Sequence, residues 1–252
     1  VEPSNVRIFS DQEYQKSGCK LNASIEDSDI LLGVKEVPVD KLIPEKTYFF
    51  FSHTFKEQPY NRSLLKACLD KQITLIDWEL LKKDKNRLIG FGYYAGLVGA
   101  FETLRGFGRM TKKYYLKSAK ELGTLQKIKK ELIKVKLPST FKAVITGTGN
   151  VARGAEEILL NAAITKYNSQ DYLESNSRLP NFTVLETSDY VKRKADGLFE
   201  KSDFYQNPKT YKNAFQPYTM VSDIFIPCHF WKEGSPIFFD WTDVSNPKFR
   251  IS

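Results

Sequence analysis

The sequence of 252 residues predicts an α/β protein with mostly parallel sheets. Three observations support this fold class. The strand-like segments of the first half are continuous apolar runs, which are typical of strands covered on both faces. An amphipathic helical segment separates two of these runs, as in a strand–helix–strand unit. Further along, a glycine turn joins another apolar run directly to a helical pattern, as at the start of nucleotide-binding folds.

The first half of the chain opens with a short helix. Ser10 and Glu13 form a capping-box pattern, and Gly18 is placed to end the helix after Ser17. Three apolar runs then predict buried strands, and they cover 29–34, 47–51 and 73–76. The amphipathic helix between the second and third runs has four apolar residues on its inner face: Leu64, Leu65, Cys68 and Leu69.

The middle of the chain predicts two helices. In the glycine-rich segment 90–108, Gly96, Gly99 and Ala100 place small residues at helical spacing, which indicates close packing on a flat surface. The lysine-rich segment 112–136 predicts one long amphipathic helix that ends before Pro138. We therefore expect two domains, residues 1–137 and 138–252.

The second half predicts a new parallel sheet. Its first strand covers 141–146, and the helix that follows has apolar residues on one face: Val151, Ala155, Ile158, Leu159 and Ala162. Four more strands are expected, at 164–167, 182–185, 223–227 and 249–251.

The composition excludes several classes of protein. Three cysteines without a CxxC pair argue against a disulfide scaffold and a cysteine metal site, and no metal is expected. No apolar stretch is long enough to span a bilayer, so we expect no membrane partner and a cytoplasmic location. The net charge of +8 is concentrated in the lysine-rich segment. We interpret that segment as a solvated helix face rather than a nucleic-acid surface.

The glycine turn predicts a dinucleotide site. Gly147 and Gly149 follow a strand directly, and Asn150 and Val151 open a helix whose free N–H groups can bind a pyrophosphate. Gly154 is the third glycine, two residues later than the GxGxxG spacing and one later than GxGxxxG. A purely structural glycine turn is the alternative reading.

The cofactor form is left open between NAD and NADP. If 164–167 is the second strand, Asp171 lies near its tip and would bind a ribose hydroxyl. Lys166 and Ser169 in the same segment would instead tolerate a 2′-phosphate.

A candidate chemical site lies at the ends of the first two strands. Lys35 and His53 each follow an apolar run, and parallel strands would bring both side chains to the same carboxyl edge. An amine and an imidazole that share a site can divide acid and base work. Read alone, His53 is equally consistent with a structural role and Lys35 with a solvated lysine.

The chain also resembles a known superfamily. Residues 30–38, 50–56, 75–79 and 90–96 read ILLGVKEVP, FFSHTFK, LIDWE and GFGYYAG, and they are similar to the alanine dehydrogenase and transhydrogenase superfamily. Within it, the lysine-forming saccharopine dehydrogenases and the lysine–ketoglutarate reductases are most similar, and 147–155 resembles the reductases in particular.

This resemblance implies two Rossmann-like domains with a cleft between them, the first for an amino-acid substrate and the second for NAD or NADP. It implies the interconversion of saccharopine with lysine and 2-oxoglutarate. Lys35 would then exchange the amine proton and His53 the proton of water. Glu36 and Glu79 would adjust these two groups, while Lys56 and Arg87 would bind substrate carboxylates. Each of these last four can also be read as an ordinary surface charge.

Two alternatives remain at this stage. An alanine dehydrogenase-like enzyme would use the same lysine and histidine on a smaller 2-oxo acid, although the polar context of His53 favours the larger substrate. A catalytically inactive cofactor-binding module is the other. The family pattern has further segments before Val1 and after Ser252, so we expect the second domain to be incomplete at its C-terminus. The oligomeric state is not predicted.

Overall fold

The computed structural model describes residues 1–84 and 86–251. It divides into two compact units, Val1–Gly90 and Phe91–Ser252. Each unit contains a parallel sheet with helices, so the predicted α/β class with mostly parallel sheets is confirmed. No helix among the described residues is both long and apolar enough to cross a bilayer.

The first unit contains two α-helices and five strands within its described residues. In chain order they are α1 (Asp11–Lys16), β1 (Ile30–Lys35), β2 (Thr47–Phe51), α2 (Arg62–Asp70), β3 (Thr74–Asp77), β4 (Lys82–Lys83) and β5 (Asn86–Arg87). The capping box of Ser10 and Glu13 starts α1 as predicted. β4 and β5 pair antiparallel in a small hairpin that the sequence did not predict.

The first sheet has the order β1–β2–β3, with all strands parallel. Helix α2 covers one face, where Leu64 and Cys68 pack against Leu31 and Phe50. The expectation that β1 is covered on both faces is wrong, because Leu32 on the opposite face is 72% exposed. The apolar face of α2 is also narrower than predicted, since it excludes Leu65 and Leu69, which are both exposed.

The second unit contains nine helices and six strands within its described residues. Its helices are α3 (Gly92–Thr111), α4 (Ala119–Leu122), α5 (Leu125–Glu131), α6 (Asn150–Asn161), α7 (Ser169–Glu174), α8 (Thr187–Tyr190), α9 (Lys201–Gln206), α10 (Gln216–Thr219) and α11 (Trp241–Val244). Its strands are β6 (Lys142–Thr146), β7 (Thr165–Tyr167), β8 (Asn181–Leu185), β9 (Val191–Arg193), β10 (Tyr211–Asn213) and β11 (Ile224–Pro227).

The second sheet has the order β11–β6–β8–β7 and is parallel throughout. The strands predicted at 164–167, 182–185 and 223–227 are thereby confirmed. Strand β6 is central and completely buried. Because β8 lies between β6 and β7, the strand that follows α6 in sequence is not the one that neighbours β6 in space.

Two predictions for the second unit are wrong. Residues 249–251 form no strand, since the chain there follows the short helix α11. The lysine-rich segment is not one helix, because Gly123 adopts a left-handed conformation (φ +71°) that ends α4 before Thr124 caps α5. Its apolar positions still face the core, where Leu122 and Ile128 are buried.

The chain divides at Gly90 rather than at the predicted boundary before Pro138. The reason is the close contact between α3 and α6. A Cβ atom at Gly96 would lie 1.9 Å from the carbonyl oxygen of Val151, and one at Gly154 would lie 2.0 Å from the carbonyl oxygen of Tyr93. The two helix backbones meet at these glycines, which places α3 with the second sheet.

This contact predicts opposite effects for the same substitution at two positions in α3. Gly96→Ala should destabilise the protein by about 1–3 kcal/mol, because the new methyl group has no space against α6. Gly99→Ala should be neutral or stabilising by about 0.5–1 kcal/mol, because a Cβ there meets nothing within 4 Å. Thermal unfolding followed by circular dichroism measures both, and equal melting temperatures for the two variants would contradict the packing.

Candidate active site

The candidate active site lies at the carboxyl edge of the first sheet. Lys35 at the end of β1 pairs in register with Phe51 at the end of β2. Asp77 ends β3 beside Phe50. His53 follows β2 after one residue, Ser52, so the register places Lys35 and His53 at the same carboxyl edge of the sheet.

Asp77 holds the turn that carries His53. Its Oδ2 atom accepts hydrogen bonds from the backbone N–H groups of Ser52 (3.0 Å) and His53 (2.9 Å) and from the Ser52 hydroxyl (2.6 Å). Its Oδ1 atom accepts one from the N–H of Glu79 at 2.7 Å. Burial raises the pKa of Asp77, but these donors outweigh it, so the pKa lies below its ordinary value. The carboxylate is therefore ionised and fully used as an acceptor.

The backbone of His53 adopts the left-handed conformation, with φ 54° and ψ 13°. This region is unfavourable for residues other than glycine, although histidine occurs there more often than most. Asp77 holds its N–H, and the side-chain amide of Asn61 donates to its carbonyl oxygen at 3.3 Å. A strained residue held on both sides is typical of functional sites.

Glu79 is the centre of an ion-pair cluster. Its Oε2 atom lies 2.9 Å from His53 Nδ1 and 3.0 Å from Lys56 Nζ. Its Oε1 atom lies 2.9 Å from Arg87 Nη1. Trp78 fixes the turn at 78–80 by donating its Nε1–H to the carbonyl oxygen of Gly33 at 2.8 Å. Three side chains from two segments, the turn at 53–56 and strand β5, thus converge on one carboxylate.

The Glu79 side chain is only 10% exposed. Burial raises its pKa, but the hydrogen bonds from Lys56 and His53 and the charges of Lys56 and Arg87 have the larger combined effect. The pKa of Glu79 therefore lies below its ordinary value, and the group is an anion at neutral pH.

The ionised state of Glu79 determines the tautomer of His53. A carboxylate only accepts hydrogen bonds, so we assign the proton of the neutral imidazole to Nδ1. The Lys56 ammonium also only donates, and its 3.2 Å approach to Nδ1 is a contact between two donors that share Oε2. His53 Nε2 is left with a lone pair, which is what a general base requires.

Four of the six residues predicted for this site form the cluster: His53, Lys56, Glu79 and Arg87. Lys35 and Glu36 are exposed at the same edge, and within residues 1–84 and 86–251 they are not part of the ion-pair cluster. Asp77 was not predicted as a site residue. Its position directly after an apolar run was the signal that could have identified it.

The glycine turn lies at the carboxyl end of β6. Gly147 has φ +91°, which favours glycine, and its N–H donates to the carbonyl oxygen of Leu185 at 2.8 Å. Gly149 precedes α6 as its N-cap residue and provides no side-chain cap. The first N–H groups of this helix, those of Asn150 and Val151 among them, have no partner within the helix.

The turn fits a phosphate group. A Cβ atom at Gly149 would meet nothing within 4 Å, so the space in front of the first turn of α6 is open. Uncapped N–H groups and the positive end of the helix dipole face that space. Gly154 does not belong to this arrangement, because it is buried against α3 one turn into the helix.

Asp171 does not follow the strand that neighbours β6. Its backbone N–H donates to the side chain of Asn168, which caps α7, and its carboxylate accepts from the same side chain. It follows β7, the edge strand, which β8 separates from β6. The sequence did not reveal this strand order. Because α6 connects β6 to β7 along the chain, β7 was expected to be the neighbour of β6.

His229 is a second histidine near the turn that the sequence analysis did not use. It follows β11, and its Nδ1 atom lies 2.7 Å from the hydroxyl of Thr146. Its ring packs against Phe238 with 4.5 Å between centroids. Burial lowers its pKa, so the ring is neutral at neutral pH. Within the described residues, no group of three or more His, Cys, Asp or Glu side chains could hold a metal ion.

Residues 1–98 match the family model of the alanine dehydrogenase/PNT N-terminal domain. The chain is 32% identical over 267 residues to the mitochondrial alpha-aminoadipic semialdehyde synthase of Rattus norvegicus, an alignment that covers 94% of this chain and 28% of that protein. The chain thus spans less than a third of the length of this relative.

Two further similarities are to a saccharopine dehydrogenase and an L-alanine dehydrogenase. A saccharopine dehydrogenase (NAD(+), L-lysine-forming) of Yarrowia lipolytica is 32% identical over 106 residues, covering 40% of this chain and 29% of that protein. The solved structure of an L-alanine dehydrogenase aligns with a TM-score of 0.51 at 15% identity, over 94% of this chain and 58% of the other, which shows a shared fold. The resemblance inferred from the sequence motifs is confirmed by these similarities.

Proposed function

We propose that the protein interconverts saccharopine with L-lysine and 2-oxoglutarate by hydride transfer to or from NAD or NADP. The observation that carries this proposal is the hydrogen bond from His53 to the buried, ionised Glu79, which leaves Nε2 of the ring available as a base. Similarity to an alpha-aminoadipic semialdehyde synthase and a saccharopine dehydrogenase supports the choice of substrate.

The proposed architecture is two Rossmann-like domains with a cleft between them, the first binding the amino-acid substrate and the second the nucleotide. The glycine turn and the start of α6 would hold the pyrophosphate through the N–H groups of Asn150 and Val151. The nicotinamide ring, when bound, accepts or returns the hydride.

The chain's own residues manage protons in this reaction. Oxidation of the secondary amine requires loss of the amine proton, and hydrolysis of the resulting imine requires a base for water. Lys35 takes the first proton and His53 Nε2 the second, with the Glu79 anion stabilising the imidazolium that forms. Glu36 lies beside Lys35 in sequence and would adjust that amine.

Two cations would bind the carboxylates of the substrate. Lys56 and Arg87 each contact Glu79, yet their side chains are 38% and 56% exposed. An ammonium has three donors and a guanidinium five, so each retains donors beyond the one directed at Glu79. Saccharopine carries several carboxylates, and charge-assisted hydrogen bonds to such cations are the strong kind.

Two alternatives are separated by one set of assays. An alanine dehydrogenase-like enzyme would reduce a small 2-oxo acid with ammonium, and an inactive module would bind a nucleotide without turnover. Oxidation of NADH or NADPH that requires both lysine and 2-oxoglutarate supports the proposal. Turnover with pyruvate and ammonium alone would favour the first alternative, and nucleotide binding without either reaction would favour the second.

His53→Asn should lower kcat by about 10²–10⁴-fold while nucleotide affinity is unchanged. Asparagine tolerates the left-handed backbone and can still donate to Glu79, but it offers no basic nitrogen. His53→Ala should lose as much activity and also some stability. Steady-state kinetics and a nucleotide titration measure the effects. Loss of nucleotide binding with either variant would make the role of His53 structural.

Gly149→Val should abolish nucleotide binding, because the new side chain fills the open space before α6. Gly106→Val is the matched control, since a Cβ at Gly106 also meets nothing within 4 Å but lies in α3. Fluorescence titration with NADH and NADPH measures the affinity. Normal affinity in Gly149→Val would remove the nucleotide site from this turn.

A further inference from the structure

The order of the second sheet determines which strand end lies beside the glycine turn. Strand β8 pairs directly with β6, with Leu185 opposite Thr146. The N–H of Gly147 continues this pairing by donating to the carbonyl oxygen of Leu185 at 2.8 Å. Neighbouring strands lie about 4.8 Å apart, so the residue after Leu185 is close to the phosphate turn.

That residue is Glu186, and its backbone is fixed. Its N–H donates to the carboxylate of Asp189 at 2.8 Å, and the N–H of Asp189 donates back to the carbonyl oxygen of Glu186 at 2.9 Å. Tyr190 anchors the same short helix in the core, where it is 2% exposed. The side chain of Glu186 itself is exposed at the carboxyl edge of the sheet.

The residues of β7 are farther from the turn in two directions. β7 is separated from β6 by the full width of β8, which adds about 4.8 Å. It also ends farther from the carboxyl edge of the sheet, because Tyr167, its last residue, pairs with Thr183 rather than with Leu185. The cation that would tolerate a 2′-phosphate there, Lys166, is paired with Glu156 at 2.7 Å.

A cation that follows β8 is also engaged elsewhere. Arg193 in β9 forms ion pairs with Asp196 at 2.8 Å and Asp203 at 3.2 Å. Strand β8 lies beside the glycine turn. The charged side chain that follows β8 directly is the carboxylate of Glu186.

We propose that Glu186 binds the adenosine ribose of the cofactor and makes the protein selective for NAD(H) over NADP(H), an inference that rests on the nucleotide site of the proposed function. A carboxylate after the strand next to the glycine turn accepts hydrogen bonds from the ribose hydroxyls. The same carboxylate repels a 2′-phosphate, because like charges at short distance are strongly unfavourable. Asp171, which the sequence favoured for this role, has no part in it.

The experiment is a pair of fluorescence titrations, with NADH and with NADPH, on the wild-type protein and three variants. The wild type should bind NADH about tenfold more tightly than NADPH, or more. Glu186→Gln keeps the size of the side chain but removes its charge, so the affinity ratio should shift towards NADPH by about tenfold. Asp171→Asn removes a charge on the β7 side and should leave the ratio unchanged. Gly149→Val should bind neither nucleotide.

The outcomes separate the inference from the proposed function. If NADH and NADPH bind equally, or if Glu186→Gln leaves their ratio unchanged, the role of Glu186 is overturned while the nucleotide site stands. If the affinity ratio shifts in Asp171→Asn instead of in Glu186→Gln, the ribose binds near the end of β7 and not beside Glu186. If the wild type binds neither nucleotide, the proposed function fails together with the inference. Circular dichroism spectra that match the wild type show that the variants are folded.

Discussion

The hydrogen bonds accepted by Asp77 are the constraint on which the candidate active site depends. One buried carboxylate binds the N–H groups of Ser52, His53 and Glu79, and so it joins the chain after β2 to the chain after β3. Without that acceptor, these donors would be buried without partners, which costs about 1–3 kcal/mol for each. The left-handed backbone of His53 and the position of the Glu79 carboxylate both follow from this junction. Asp77 therefore positions the imidazole without contacting the ring, while Glu79 determines its tautomer.

The two carboxylates at this edge have different roles although both are ionised. Asp77 is surrounded by neutral backbone and hydroxyl donors, so its charge stabilises the shape of the turns. Glu79 is surrounded by the side chains of Lys56, Arg87 and His53, so its charge organises groups that remain partly open to solvent. Asp77 thus makes the turn rigid, and Glu79 holds the polar cluster that the turn carries. This arrangement is suited to orienting a base.

In the second unit, glycine serves two physical purposes at nearby positions. Gly147 provides a positive φ, and Gly149 leaves space before the uncapped start of α6. Gly154 and Gly96 instead allow two helix backbones to approach, which no residue with a Cβ could permit. A glycine pattern in the sequence cannot distinguish these roles, because the same residue type is required for each. This is why Gly154 was assigned to the nucleotide site.

The sequence by itself determined the α/β class, most strands and the capping of α1, because apolar runs, caps and strand ends are local features. It also carried the family motifs, and the resemblance they show was the reason for choosing Lys56, Glu79 and Arg87 as candidate site residues. It did not determine that β8 lies between β6 and β7, that α3 packs with the second sheet, or that Asp77 supports His53. Those features depend on which surfaces meet over long separations in the chain. Only the tertiary structure decided them, because strand order and helix contact follow from packing rather than from local periodicity.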